Sequence, residues 1–593
     1  MNDSISSKIR KLIGQGECLS AYDLASSQLE QDETDEELQY LSVLSLARSG
    51  ATNLAQKLFT QFDFSGSSNE DYAALGARLS KDIALQTNNA LQLEHAAKQY
   101  HDVFLRTGGY YTAINAASLY KLSGDHALAN ELAKTTLNLC EADTAGEGIG
   151  EYYRQVSMAE ALLVLDDTKA AQPLLASARA YVGGDYAALA TTRRQLALLI
   201  PENELQLLSI LTPPGVIHFC GHMISNSNDS GRFRPQAEQT VKDAIVTQLS
   251  SLNIGFGYGS LANGADILFA EALLEHKAAL HIVLPFDMDE FINISVKPAD
   301  EKWLDRFHYC IDNAESVSYS CDGSYLGDNT LFHYATRLAM GLAKQKANNL
   351  ETTVKQLAVW DGEITQGCAG TYADIQTWQL QNSQSILISA ADGHLLSPPD
   401  KQDVISEELN NGQRRAHAML FGDVKGFSKL NDEQIPAFVT QLFGTLASSL
   451  EVFNSSILST NTWGDGLFVV FDDALSASEC AINLQLAMQN LDLAALGLPS
   501  HLALRLGVHY GPVYELNDPV LHRANYFGAH VTKAARIEPI TPEGEVYVTR
   551  QLAAELALIE HCDFTTEYVG VVPTAKKYGD MPMYLLQRKL TTS

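Results

Sequence analysis

The sequence is poor in positive charge: Lys and Arg total 41 against 71 Asp and Glu, a formal net charge of −30 over 593 residues. Such a field repels phosphate backbones and anionic lipid heads alike, so neither a nucleic acid nor a membrane surface is expected as a partner. Paired cysteines are also missing. The eight that occur (Cys18, Cys140, Cys220, Cys310, Cys321, Cys368, Cys480 and Cys562) are scattered, without a CxxC pair or a His/Cys cluster at zinc-ligand spacing, and read as reduced core thiols. No apolar run reaches the ~18 residues of a membrane span, and the start MNDSISSKIRKLIGQGE lacks the apolar stretch of a signal peptide. A cytoplasmic protein is expected. What is present is an ordinary globular balance, 46% hydrophobic and 19% charged. At roughly 150 residues per domain, the length implies about three or four domains rather than one core.

Proline is almost absent between residues 5 and 205, where Ala, Leu, Gln and Glu dominate and apolar residues recur at helical spacing. ELQYLSVLSLARSGATNLAQKLFTQF, YYTAINAASLYKLSGDHALANELAKTTL and YYRQVSMAEALLVLDDTKAAQPLLASARA each read as a helix, a short polar turn and a second helix. These stretches resemble degenerate tetratricopeptide repeats, which implies an all-α domain over 1–205 with a concave surface able to hold a peptide, a protein partner or a neighbouring domain. A helical bundle that only packs is the alternative.

Pro201, Pro213 and Pro214 end this regime, and short β-branched or aromatic runs then alternate with helical ones. GVIHFCGH, NIGFGYGS and ALHIVLPF read as strands with helices between them, an α/β order that predicts a parallel sheet covered by helices over 213–395. The loop Gly255-Phe256-Gly257-Tyr258-Gly259-Ser260, followed by Asp266, lies where a strand hands over to a helix N-terminus, a place that favours an anion. Glycines serve tight turns with or without a ligand, and Asp266 can equally cap its helix. The HFCGH, GYGSLANGAD and HIVLPF segments resemble the Rossmann-like SLOG superfamily. That resemblance implies a nucleotide-like regulatory ligand near Gly255, Gly257, Gly259, Ser260 and Asp266. Residues 396–413 read as a linker with a short polar helix.

The remaining block, 414–590, holds the chemistry. AHAMLFGDV is an apolar strand delivering Asp423 to its end, DEQIPAFVTQLFGTLASSLEVF an amphipathic helix, and SILSTNTWGDGLFVVF a strand pair whose turn carries Asp465, 42 residues after Asp423. Two strand-end carboxylates suit magnesium, a hard ion that takes oxygen ligands alongside waters and substrate phosphates. FGDVKGFSKL, NTWGDGLFVVF, LRLGVHYGPVYE and YFGAHVTKAARIEP stand in the order and spacing of class III adenylate/guanylate cyclase catalytic domains, and the block resembles that family along its length. The resemblance implies a ferredoxin-like α+β fold with a βαββαβ core and an added hairpin. It also implies a homodimer with its sites between the two copies.

By the same resemblance, Asp423 and Asp465, with the Val424 carbonyl, would bind two Mg²⁺ or Mn²⁺ ions. Arg536, on the helix after YFGAHVTKAA, would neutralise charge on the α-phosphate, and Lys576 or Lys577 would meet the terminal phosphates. The chain departs from the family pattern at Asn461 and Asn525, where charged base readers are usual. Two amides both donate and accept, so base choice stays open, with ATP favoured as the nucleoside triphosphate. It departs again at Thr532, where the family has an asparagine orienting the ribose. The expected activity is a regulated nucleotidyl cyclase of intracellular signalling; the alternative is a cyclase fold that has lost turnover and serves as a scaffold.

Overall fold

The computed structural model describes residues 4–143, 146–226, 231–327, 329–401, 414–577 and 579–589. Most of the expected linker, residues 402–413, lies outside the described residues. From Ile5 to Ala197 the chain is a succession of α-helices. The three similar stretches fold as helix pairs: Glu36–Ser49 with Thr52–Phe62, Tyr110–Ser123 with His126–Ala142, and Ile149–Val164 with Thr168–Ala178. Gly50 and Gly124 make the first two turns at φ of 85° and 93°, left-handed values that a Cβ would disfavour. Buried alanines, among them Ala96, Ala97, Ala116 and Ala117, let neighbouring helices approach closely.

The next segment forms a seven-stranded sheet in the order β4-β3-β2-β1-β5-β6-β7. Its strands are β1 (Gly215–Gly221), β2 (Ile254–Gly259), β3 (Ala279–Leu284), β4 (Ser316–Tyr319), β5 (Val354–Trp360), β6 (Ser385–Ser389) and β7 (Leu395–Leu396). All the pairings are parallel except that of β7. Ile217 and Phe219 of β1 pack on the helices Glu238–Ser251 and Ala265–Glu275, while Val216 packs on the long helix Thr330–Leu350, so both faces are covered. The expected parallel α/β arrangement is therefore present.

One expectation for this segment is corrected. Gly255, Gly257 and Gly259 lie within β2 rather than in a ligand loop, and they are small for packing: a Cβ there would meet Pro214, Leu273 and Phe219 respectively. At the start of the following helix, the Ala265 N–H donates to the His222 carbonyl at 3.1 Å.

The C-terminal sheet runs β14-β15-β13-β11-β8-β10-β9, with β12 paired to β11. Its strands are β8 (Arg414–Lys425), β9 (Ile457–Trp463), β10 (Gly466–Phe471), β11 (Ala503–Asp518), β12 (Arg523–Phe527), β13 (Val546–Thr549), β14 (Phe564–Pro573) and β15 (Asp580–Arg588). A helical segment after β8 and the helix Ala474–Gln489 after β10 complete the βαββαβ order. The first is not one continuous helix: a wider π turn at Phe438–Leu442 separates Ile435–Ala437 from Phe443–Glu451. No disulfide joins any cysteine, and burial holds the Cys310 and Cys480 thiols up at about 12, the neutral state of a core thiol.

All three regions touch. The helical array docks on the β14 edge, where the Tyr568 hydroxyl donates to Asp23 at 2.7 Å and Asn53 Nδ2 donates to Glu567 at 3.3 Å. Glu17 joins the array to the middle sheet by accepting from Lys346 at 2.5 Å, with His281 Nε2 at 3.5 Å. The long helix also packs on the C-terminal region, through an Arg337–Glu555 ion pair to the helix Arg550–Leu558 and a Tyr334 hydroxyl donating to the Tyr510 carbonyl of β11 at 2.7 Å. Gly341 sits at this crossing, and a Cβ there would strike the Ala554 backbone. Gly341→Leu is accordingly expected to pry the two regions apart, seen as faster limited proteolysis of the full chain with helicity retained; unchanged cleavage would contradict this packing.

Candidate active site

Asp423 is the third residue from the end of β8, opposite Gly466 of β10 on one side and Arg505 of β11 on the other. β8 is central, its neighbours fix it on both edges, and Val424 beside Asp423 is wholly buried in the core, so only the Val424 backbone can face the site. Asp465 lies in the two-residue turn joining β9 to β10, after Gly464 at φ 66°, the left-handed value of a type II′ hairpin. The turn brings the Asp465 carboxyl within hydrogen-bonding reach of Asp423. Burial, and behind it the Asp423 charge, push Asp465 above the usual carboxylate range, against the pull of Arg505.

Two further residues complete the cluster and were not singled out from the sequence. One guanidinium nitrogen of Arg505 sits 2.6 Å from Asp423 Oδ2 and 2.8 Å from Glu538 Oε1. Burial first, then Asp423, raises Glu538 to about 7. The missed signal was register: Arg505 stands directly across from Asp423 in antiparallel β8 and β11. Three acids around one guanidinium leave negative charge uncompensated when all are ionised, and a divalent cation relieves that repulsion. Among the described residues no group of three or more His, Cys, Asp or Glu is set out at metal-ligand spacing. The fit is thus to an ion held by the two aspartates and completed by water or phosphate oxygens.

The other expected residues lie apart from this cluster. Arg536 is in the turn after the short helix Ala529–Ala534 rather than on the helix, and its Nε is buried without a hydrogen-bond partner. Thr532 is exposed one turn earlier. Asn461 on β9 and Asn525 on β12 flank Arg523, whose guanidinium donates to the Thr460 carbonyl at 3.3 Å and approaches Asn461 Oδ1 at 3.5 Å. Asn525 Nδ2 is engaged with Asp518 at 2.9 Å. Lys576 is exposed with a left-handed φ of 59°, and the Lys577 side chain lies outside the described residues. In the middle sheet, Ser260 and Asp266 do line a cavity, unlike the three glycines.

With this geometry in place, comparison with known proteins gives two family matches. Residues 410–588 match the adenylate and guanylate cyclase catalytic domain, and residues 17–120 match the Tetratricopeptide Repeats-Sensor family. Together they place a domain of the adenylate and guanylate cyclase catalytic type C-terminal to a region of tetratricopeptide-like helical repeats.

Among similar proteins, "Putative adenylate cyclase 3" of Rhizobium meliloti (strain 1021) is 32% identical over 143 residues, covering 23% of this chain and 22% of its own. The adenylate cyclase of Podospora anserina is 30% identical over 164 residues, 24% of this chain and 8% of its own. The chain thus spans less than a quarter of either relative's length. Of solved structures, the guanylyl cyclase Cya2 matches at 24% identity and a TM-score of 0.25, over 31% of this chain and 100% of that one. The adenylyl cyclase CyaB of P. aeruginosa matches at 18% identity and a TM-score of 0.27, over 30% and 98%. Among the described residues no helix is long and apolar enough to cross a membrane.

Proposed function

We propose that the protein is a nucleotidyl cyclase that converts a nucleoside triphosphate, ATP by preference, to its 3′,5′-cyclic nucleotide and pyrophosphate. The observation that carries this reading is the meeting of Asp423, near the end of β8, and Asp465, in the β9–β10 turn, at one end of the C-terminal sheet. In the reaction the ribose O3′ bonds to the α-phosphorus, the bond from that phosphorus to the bridging oxygen breaks, and the 3′-hydroxyl proton is lost as pyrophosphate leaves. Two divalent cations, Mg²⁺ or Mn²⁺, would supply charge neutralisation on the attacking and leaving oxygens. Asp423 and Asp465, with the Val424 carbonyl, would hold them, and Arg505, ion-paired to Asp423, fixes the orientation of that carboxylate. Arg536 steadies the α-phosphate. Asn461 and Asn525, with Arg523 between them, face the base, and Lys576 or Lys577 the terminal phosphates.

A homodimer fits the surface. The array covers the β14 edge, while the opposite edge and the β11–β12 hairpin expose Leu458, Trp463, Leu516, Val520, Leu521 and Phe527. Apolar side chains gathered on one such edge suit a second copy. The helical array holds another region of its own chain, a setting for regulation of a cytoplasmic signalling enzyme.

The test is to incubate the purified chain with each of the four ribonucleoside triphosphates and Mg²⁺ or Mn²⁺ and to identify products by mass. A cyclic product from one triphosphate establishes both activity and base, and its absence from a folded dimer overturns the reading. Exposed Thr532 favours a second reading, in which turnover is weak or lost and the domain serves as a scaffold. Thr532→Asn, restoring a longer-reaching amide, is expected to raise kcat by about tenfold or more. Unchanged kcat would remove Thr532 as the cause of any weakness.

A further inference from the structure

The middle sheet holds a cavity of about 650 Å³ at the C-terminal ends of its parallel strands. It opens beside β1, where the strand order reverses between β2 on one side and β5 on the other, the place where open α/β sheets receive ligands. Two acids project into it from opposite walls: Asp266 from the helix Ala265–Glu275 and Asp374 from the helix Thr371–Leu380. Each is only 7% exposed, and Oδ1 of each is buried with no hydrogen-bond partner. The remaining Asp266 oxygen accepts from the Ala262 N–H at 3.1 Å. Phe291, Phe332, Pro285 and Pro298 supply an apolar wall. Near the mouth, His222 is held by Asp361 at 3.0 Å and Thr371 at 3.2 Å, and Arg232 lies 3.6 Å from Asp361.

A buried polar atom without a partner is costly to keep, and two acids facing each other compound the cost. Burial first, and the other acid second, raise Asp374 to about 8, and burial raises Asp266 to about 7. The fold gives Asp266 the Ala262 and Gly221 amides and Asp374 the Thr336 hydroxyl, and it leaves Oδ1 of each carboxyl open to a donor from an occupant of the cavity. An anion is disfavoured there once the two carboxyls ionise, because phosphate would then face two negative charges.

We propose that this cavity is a binding site for a small organic molecule that presents paired hydrogen-bond donors, sugar hydroxyls or ammonium groups, to Asp266 and Asp374 and lays an apolar face on Phe291 and Phe332. The site stands on its own geometry. Its consequence for catalysis rests on the cyclase reading and runs through the long helix Thr330–Leu350. Phe332, Ala335 and Thr336 on one side of that helix line the cavity, while Tyr334, Arg337 and Gly341 on the other side grip the C-terminal region. From the same neighbourhood the Cys321 thiol meets His530 Nε2 at 3.3 Å, on the short helix preceding Arg536. An occupant that shifts the long helix is therefore felt at the cyclase domain without passing through residues 402–413.

Two measurements on the full chain test the site without using cyclase activity. The first is melting temperature against pH for wild type, Asp374→Asn and Asp266→Asn/Asp374→Asn. Carboxyls raised in the folded state contribute stability that is present below their unfolded values near 4 and lost as pH rises through 7 and 8. The groups facing them, Cys220 and His222, are the same in all three proteins. The amide variants should thus melt close to wild type near pH 5 and about 2 °C or more above it at pH 8. Variants that melt below wild type at pH 8 would show the acids to be structural and overturn the proposal. The second is calorimetric titration with adenosine, with spermidine and with inorganic phosphate. Saturable binding of adenosine identifies sugar hydroxyls as the donors, and binding of spermidine identifies ammonium. In either case the double variant should bind about tenfold or more weakly. Binding of neither, binding untouched by the substitutions, or binding of phosphate alone overturns it.

Discussion

On the cyclase reading proposed above, Asp423→Ala and Asp465→Ala are each expected to lower turnover by about 10³-fold or more, because each would remove an oxygen ligand from ions that would stabilise several kcal/mol of transition-state charge. The fold should survive. Asp423 is a partly exposed side chain at one end of β8, and in its absence Arg505 keeps Glu538 at 2.8 Å. Losing either aspartate also relieves repulsion on Glu538, which both push upward. The check is kcat from cyclic-nucleotide formation at saturating Mn²⁺, with melting temperature measured alongside. A folded variant retaining a tenth of wild-type turnover would remove these carboxylates from the mechanism.

Mixing two inactive chains should restore activity. Within one chain Asp423 and Asp465 gather Arg505 and Glu538, whereas the buried Arg536 Nε has no hydrogen-bond partner. If Arg536 serves the carboxylates of a second copy, Asp423→Ala and Arg536→Ala are each inactive alone. Random re-association then makes half the dimers mixed, each with one intact site of two, so an equimolar mixture should recover about a quarter of wild-type activity per chain. A mixture as inactive as its components, with exchange of subunits verified, would mean that each site lies within a single chain.

Much of this arrangement is legible in the sequence because it depends on local signals. The apolar run ending in Asp423 is a strand, the Trp-Gly-Asp-Gly sequence is a hairpin turn, and the repeated helical stretches pair across Gly50 and Gly124. Each follows from a neighbour-to-neighbour preference: side-chain alternation, a glycine at positive φ, or small residues where helices meet. Arg505 and Glu538 were not legible in this way. Their roles arise from which residues face each other across strands far apart in the chain, and nothing local to LRLGVHYG or ARIEP announces it. The glycines of β2 mislead for a related reason, since a glycine that clears space for Leu273 or Phe219 looks the same in sequence as one that cradles a ligand.

The sequence by itself determined the elements, their order and the two aspartates, because chain-local sterics and hydrophobic periodicity act within about a dozen residues. Only the tertiary structure decided that Arg505 bridges Asp423 and Glu538, that Asp266 and Asp374 face one cavity, and that a single helix touches both that cavity and the cyclase domain. Those outcomes depend on strand register and on the faces that helices turn to one another, and both are settled by burial of the whole core rather than by any one segment.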